Sequence, residues 1–421
     1  MFFCEKGVKR ELSCGRKPAA GGNEIGIWIV NQSKDNKDMR HLSHKLHLYL
    51  SIPFGLLLVV ICATGAMLAI QDDIIKALNL DYYYVEKRGD KPHRVDELVG
   101  KVIRTLPDSI KVTGVEISSD PDRTYGVKLS DADRSTVFVD QYTTDILGTQ
   151  GESKFFATVK RLHRTLLDSR PPAGTLLHGK YIVGFAAIAL VIIVITGLSL
   201  WMPKGRHPAA NRFVPVTKAG VWRLNYSLHS VAGMYASLFL LVMSLTGLTW
   251  SFEWYRIAFY NIFGAEAPVQ KHPTRIDFDP RDPRLNAEIL RGWDNAFRHL
   301  DAAGNGYDLV AISPNKAYGY YLSSGNTRAY DYYTFEDNGE IKTAQYYRDA
   351  AKDTKLRGWI RSVHTGSFGG IVTRLIWALA ALTGALLPIG GYIIWWRRIT
   401  PRRGARRCNG GCNKAPRSGS R

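Results

Sequence analysis

The sequence predicts a membrane all-α four-helix bundle in two repeated halves, carrying two extracytoplasmic α+β insertions. Three observations predict it. Four long runs carry no charge, almost all of the net charge sits in three segments, and a spaced pattern of His, Thr and Gly occurs twice.

The charge-free runs come first. Lys45 and Asp72 bracket 26 residues without a charge, Lys180 and Lys204 bracket 23, Arg223 and Glu253 bracket 29, and Arg374 and Arg397 bracket 22. A helix needs about 20 apolar residues to cross a bilayer core. Helices inside soluble proteins rarely exclude charge for so long. The spans are placed at 41–71, at 161–203 including a pre-helix, at 224–252, and at 358–398 including a second pre-helix. No cleavable signal precedes the first span, which is expected to act as its own signal anchor. Residues 1–40 lack periodicity and are expected to be a disordered cytoplasmic segment, with Met39 as an alternative start.

Orientation follows from the basic residues. Residues 1–46, the 202–223 loop and the tail 397–421 together hold 23 Lys/Arg against five Asp/Glu, which is +18 of the formal +19. Lys and Arg beside membrane spans stay on the cytoplasmic side. Both termini, the 204–223 loop and the basic tail 399–421 are therefore expected in the cytoplasm, with 72–160 and 253–357 outside. The charge flanks spans instead of lining one folded face, which argues against nucleic acid as a partner. Membrane lipid is the partner the spans imply. Of the five cysteines, Cys4, Cys14, Cys62, Cys408 and Cys412, none lies in the outer segments, so no disulfide supports them. Cys408 and Cys412 fall in a Gly- and Arg-rich tail and are read as disordered, not as a metal pair.

The insertions read as small α+β units. In the first, Val95, Leu98, Val99 and Val102 share one helical face. Strands follow at Val112 to Ile117, Tyr125 to Leu129 and Thr136 to Val139, then a turn and a short return strand. In the second, 285–300 reads as a helix. Tyr318 to Leu322 and Arg328 to Phe335 read as strands joined by a turn at Ser323-Ser324-Gly325-Asn326, with a further turn at Asp337-Asn338-Gly339.

The repeat fixes the candidate site. Leu46-His47 and Leu228-His229 open spans one and three, and Thr64-Gly65 and Thr246-Gly247 lie near their ends, with 18 residues from His to Gly in both. Spans two and four carry Thr196-Gly197 then Trp201, and Thr383-Gly384 then Trp395-Trp396. His163 and His364 precede them in similar Arg-flanked contexts. A repeat axis along the membrane normal brings His47 to His229 and His163 to His364. Paired imidazoles across a bundle are what six-coordinate haem iron requires. An 18-residue helical separation covers about 27 Å. Gly65 and Gly247 then reach the level of His163 and His364, while Gly197 and Gly384 reach that of His47 and His229, where they permit close approach of a flat ligand. One ligand stays open. His178 lies three residues before the charge-free run of span two, whereas His163 fits the repeat. The remaining histidines lack repeat partners and read as surface residues.

No Cys-x-x-Cys-His is present, so a haem here would be held without covalent attachment. No flavin or nicotinamide motif occurs, which makes the electron donor a separate, unidentified molecule. The spans lack interior Asp, Glu, Lys or Arg, which argues against a transporter.

The chain from about His44 to Arg398 resembles the PepSY-associated transmembrane proteins, which include bacterial inner-membrane ferric-siderophore reductases. The motifs are Lys45-Leu46-His47 with Thr64-Gly65, Leu162-His163-Arg164 with Thr196-Gly197 to Trp201-Met202-Pro203-Lys204, Leu228-His229 with Thr246-Gly247, and Val363-His364-Thr365-Gly366 to Trp395-Trp396-Arg397. The stretch from Val137 to Gly148 looks like the closing strand-turn-strand of a PepSY domain. The resemblance implies PepSY-like insertions and two haems b held by His47, His229, His163 and His364. It also implies electron transfer from the cytoplasmic side to a ferric siderophore or other ferric chelate outside. The chain departs from the pattern in about six extra residues between His163 and span two, His178 among them. A different function also fits the insertions: a PepSY module that binds or regulates a peptidase, with the spans as anchor.

Overall fold

The computed structural model describes residues 23–168, 178–203, 212–268 and 287–400, with the backbone alone for 23–37. The first half runs through helix α1 (Asn23–Ala69), α2 (Gln71–Leu78), α3 (Leu80–Tyr83) and α4 (Val95–Thr105). Strands β1 (Val112–Ser118), β2 (Tyr125–Leu129), β3 (Thr136–Val139) and β4 (Ile146–Gln150) follow, then α5 (Lys154–Thr165) and α6 (His178–Trp201). The second half repeats this order, apart from the one-turn α3. It runs through α7 (Val221–Ser251), α8 (Glu253–Ile262), α9 (Ala287–Ala302), β5 (Leu309–Ser313), β6 (Lys316–Tyr320), β7 (Tyr330–Phe335), β8 (Ile341–Gln345), α10 (Lys352–Thr365) and α11 (Gly370–Ile399).

Among the described residues, α1, α6, α7 and α11 are long and apolar enough to cross a membrane. They form a ring in which α1 packs on α6 and α11, and α7 packs on the same two. Cys62, Val194, Ala236, Leu240 and Ala385 fill its middle. Small side chains let the backbones approach where lipid supplies no hydrophobic drive. At Gly384 an added Cβ would stand 2.7 Å from Leu240 Cδ2. The α1 helix begins at Asn23, so 23–40, expected as disordered, is helical; residues 1–22 and the two tail cysteines lie outside the described residues.

The insertions differ from expectation in one respect. They are not two separate units: their strands form a single antiparallel sheet in the order β4-β3-β2-β1-β5-β6-β7-β8. The seam is β1 against β5, with Val115 opposite Ile312, Glu116 opposite Ala311 and Ile117 opposite Val310. Two separate four-stranded sheets would each expose an open edge there, and the seam pairs those N–H and C=O groups. Helices α4 and α9 cover one face together. Val95, Leu98, Val99 and Val102 meet Trp293, Ala296 and Leu300 above Val115, Val127, Val139 and Ile312. Each such Val or Leu, wholly removed from water, contributes about 1.5–3 kcal/mol.

One joint fixes the sheet to a helix beside the bundle, and a second ties two helices together. The β6–β7 hairpin docks on α10: Thr327 N donates to Ser362 Oγ at 2.9 Å and Asn326 Nδ2 to the Lys355 carbonyl at 3.0 Å. Arg374 donates from Nε and Nη2 to the two oxygens of Asp73, both at 2.7 Å, tying α2, which follows span one, to span four.

Candidate functional site: two facing histidine pairs

His47 lies in α1 and His229 in α7, toward the bundle end away from the sheet. Their ring centroids are 6.4 Å apart and the rings are nearly perpendicular. His163 and His364 lie in the last turns of α5 and α10, at the sheet end. Their centroids are also 6.4 Å apart. Each pair joins one residue from each half, as a pseudo-two-fold axis along the bundle requires.

Every ring is braced by a neighbouring helix of its own half. His47 Nδ1 lies 3.0 Å from the Ile193 carbonyl, His163 Nδ1 2.9 Å from Ile61, His229 Nδ1 3.1 Å from Leu387, and His364 Nδ1 2.9 Å from Met243. A glycine follows that carbonyl by four residues in all four cases: Gly197, Gly65, Gly391 and Gly247. An added Cβ would meet the imidazole Cε1 at 3.0 Å for Gly197, 3.1 Å for Gly65, 3.1 Å for Gly247 and 3.4 Å for Gly391. The glycines therefore make room for the histidine rings themselves and not, as their spacing suggests, for a flat ligand.

Three of the four sites add a threonine. Thr196 Oγ1 is 3.3 Å from His47 Nδ1, Thr64 Oγ1 3.2 Å from His163 Nδ1, and Thr246 Oγ1 3.1 Å from His364 Nδ1. Each hydroxyl donates its proton at 2.7 Å within its own helix, to Ile192, Val60 or Val242. Toward the ring it can only accept. Nδ1 thus carries the hydrogen, and Nε2 keeps the lone pair. Burial pushes His163 and His364 below the usual histidine range, His364 to about 4.

The fourth site corrects the sequence repeat. Gly384 packs at mid-bundle on Leu240 and Cys62 and does not reach His229. Leu387, Gly390 and Gly391 take the places held elsewhere by the carbonyl, Thr and Gly, and Gly390 has no hydroxyl to offer. Pro388 lies inside this helix and cannot donate to the Gly384 carbonyl. Trp250, which sequence reasoning did not single out, sets its ring 5.0 Å from His364.

His178, the alternative to His163, is exposed in the first turn of α6 beside Thr165 and Asp168, and joins neither pair. His44 accepts from Arg398 at 3.3 Å, and His41, His93 and His299 are exposed. His207 and His272 lie outside the described residues.

The tyrosine-rich strands divide by face, as alternation requires. Tyr318, Tyr320, Tyr330 and Tyr332 cluster on the face away from α4 and α9, with cross-strand centroid distances of 5.2 Å for Tyr318–Tyr332 and 5.4 Å for Tyr320–Tyr330. Arg328 and Arg357 lie within electrostatic reach of this cluster. Tyr307, Tyr321 and Tyr333 sit on the helix-covered face. There Tyr307 and Tyr321 donate to the buried Asp331 carboxylate at 2.7 and 2.9 Å, and the Tyr347 N–H satisfies its other oxygen. These three tyrosines are structural. Arg164 and Arg361 are exposed beside the sheet-end pair.

A family model, the PepSY-associated TM region, matches residues 44–398. No curated protein matches the chain.

Proposed function

Because the chain belongs to the PepSY-associated transmembrane family, we propose that it is a b-type, two-haem electron carrier of a bacterial inner membrane that reduces ferric chelates, siderophore complexes among them. One observation carries the proposal: both histidine pairs stand 6.4 Å apart between centroids. A metal–imidazole bond is about 2 Å, and the ring centroid lies roughly 1 Å beyond the nitrogen. Two imidazoles on opposite sides of one iron therefore have centroids about 6 Å apart. The same spacing recurs in both pairs, with Nδ1 turned to a carbonyl and Nε2 left free in each.

The donor set fits as well. His47 and His229 would hold one haem and His163 and His364 the other, each through Nε2, since Nδ1 is engaged by a carbonyl in every case. Held by these histidines, haem iron would supply one-electron transfer. The residues of the chain do the rest. The carbonyls, threonines and glycines aim the rings, and the Cys62–Leu240–Ala385 layer keeps water out between the two sites. Arg164, Arg357 and Arg361 supply positive charge beside the sheet-end pair for propionates or for an anionic chelate.

Lys and Arg crowd the end of the bundle opposite the sheet. By the bias of such residues toward the cytoplasm, both termini lie inside and the sheet outside. Electrons would enter at His47 and His229 from an unidentified donor and leave near His163 and His364. The half-buried tyrosine face, with Arg328 and Arg357, offers rings and charge to a bulky chelate.

A dithionite-reduced minus oxidised spectrum of the purified protein tests this directly. Low-spin haem b bands, with about two haems per chain by pyridine haemochrome, are expected. A colourless protein would sink the proposal and leave the peptidase-binding function in its place.

A further inference from the structure

A threonine stands beside three of the four histidines, and its oxygen does more than orient the ring. Thr64, Thr196 and Thr246 stand three residues after the carbonyl that receives the imidazole Nδ1–H, and their hydroxyl oxygens lie 3.1–3.3 Å from the same Nδ1. Because each hydroxyl proton is committed to its own helix at 2.7 Å, the oxygen is a permanent acceptor for that N–H. A second acceptor on Nδ1–H draws the proton further from the ring. It shifts the imidazole toward imidazolate and makes Nε2 a stronger donor. A stronger donor favours the more highly charged metal, and the reduction potential falls.

The distribution is uneven. At the sheet end both histidines have a threonine, Thr64 for His163 and Thr246 for His364. At the other end only His47 has one, because Gly390 occupies the equivalent place at His229. The Gly390 carbonyl instead accepts from Asn225 Nδ2 at 3.1 Å.

We infer that these three threonines are redox-tuning positioning residues: each lowers the reduction potential of the iron centre whose histidine it touches. The effect is doubled at the sheet end, where electrons leave. A centre held low is the stronger reductant, and a ferric ion stabilised by a chelate is hard to reduce. This inference rests on the haem assignment proposed above.

The test is a potentiometric titration of the full-length, haem-loaded protein followed in the visible α-band. The two centres are identified by the wave that disappears in His47→Ala. Thr246→Val keeps the side-chain volume and removes the acceptor. At a fixed ambient potential it should raise the reduced-to-oxidised ratio of the sheet-end centre by about three- to tenfold, tenfold being 59 mV for one electron. The other wave should not move. Thr246→Ser should return the parent potential, which a packing role for the methyl group would not predict. Thr64→Val should shift the same wave as Thr246→Val, and Thr196→Val only the other one. If Thr246→Val releases its haem, Thr64→Val on the same centre carries the measurement. Haem-loaded valine variants whose potentials match the parent overturn the inference while leaving the haem proposal intact. A protein without haem overturns the haem proposal itself.

Discussion

His163 and His364 face each other at 6.4 Å, although neither belongs to a membrane-spanning helix. Each sits at the end of a short helix leaning on the bundle. His163 rests against the Ile61 carbonyl of α1 and His364 against the Met243 carbonyl of α7. The sheet-end pair is thus assembled from elements outside the spans but oriented by the spans. The other pair reverses this: His47 and His229 are carried by α1 and α7 and braced by α6 and α11.

The four histidines should separate into two independent sites. His47→Ala or His229→Ala is expected to remove one haem and spare the other, and His163→Ala or His364→Ala to remove the second. His178→Ala should keep both. Haem stoichiometry and reduced-minus-oxidised spectra of the five variants decide this. Loss of a haem in His178→Ala with retention in His163→Ala would reverse the ligand choice.

The glycines should be intolerant of bulk. An added Cβ at Gly65 or Gly247 already lies 3.1 Å from an imidazole Cε1, so alanine demands a shift of a few tenths of an ångström and leucine expels the ring. Gly65→Leu and Gly247→Leu are expected to abolish the sheet-end haem, with Gly65→Ala intermediate. Gly233, whose nearest neighbour would be 3.6 Å away, should accept alanine with full haem content. Equal loss in all of them would show that the glycines serve general packing.

The Asp73–Arg374 pair should couple α2 to span four. Both side chains are about a quarter exposed, 25% and 27%, and the contact is bidentate. A double-mutant cycle with Asp73→Asn and Arg374→Gln is expected to give a coupling of about 1 kcal/mol, at the upper end for partly exposed pairs. Thermal denaturation in detergent at low and high salt measures it, and coupling indistinguishable from zero in both would dismiss the joint.

The β1–β5 seam should make the sheet one cooperative unit. A Cβ at Gly114 would collide with the Ile312 carbonyl oxygen at about 2.5 Å. Gly114→Val is therefore expected to destabilise the sheet by roughly 2–4 kcal/mol through overpacking and lost pairing. Hydrogen exchange should then rise in both four-stranded halves together. A rise confined to β1 and β2 would mean that the halves fold separately.

The tyrosine face should discriminate between oxidants. In anaerobically pre-reduced protein, Tyr330→Ala and Arg357→Ala are expected to slow reoxidation by a ferric siderophore about tenfold. Reoxidation by a small soluble oxidant should stay unchanged. Release of Fe(II) to a ferrous-specific chelator is the second readout. Equal slowing by both oxidants would place the effect at the haem and not at a chelate surface.

Whatever is local can be read along the chain. Absence of charge over 22 to 29 residues marks the spans because each residue independently weighs water against lipid. The duplicated His-to-Gly spacing of 18 residues identified the two halves, and a symmetry axis then named the facing histidines. Alternation and turn residues found β1, β2 and β3, and placed β6 and β7 within about two residues. Features that depend on partners far away in the chain emerge only on folding. Strand β5, Leu309–Ser313, is a short apolar run without a clear period, and its identity as the central strand comes from pairing with β1 almost 200 residues earlier. Strand β8 is exposed throughout and so carries no burial pattern to read. His163 displaces His178 because α5 ends against α1, a packing contact that no spacing along the chain records. Gly390 and Gly391 replace Thr383 and Gly384 at His229 for the same reason. Helix period says which residues share a face, but the depth at which two helices meet is set by the side chains between them.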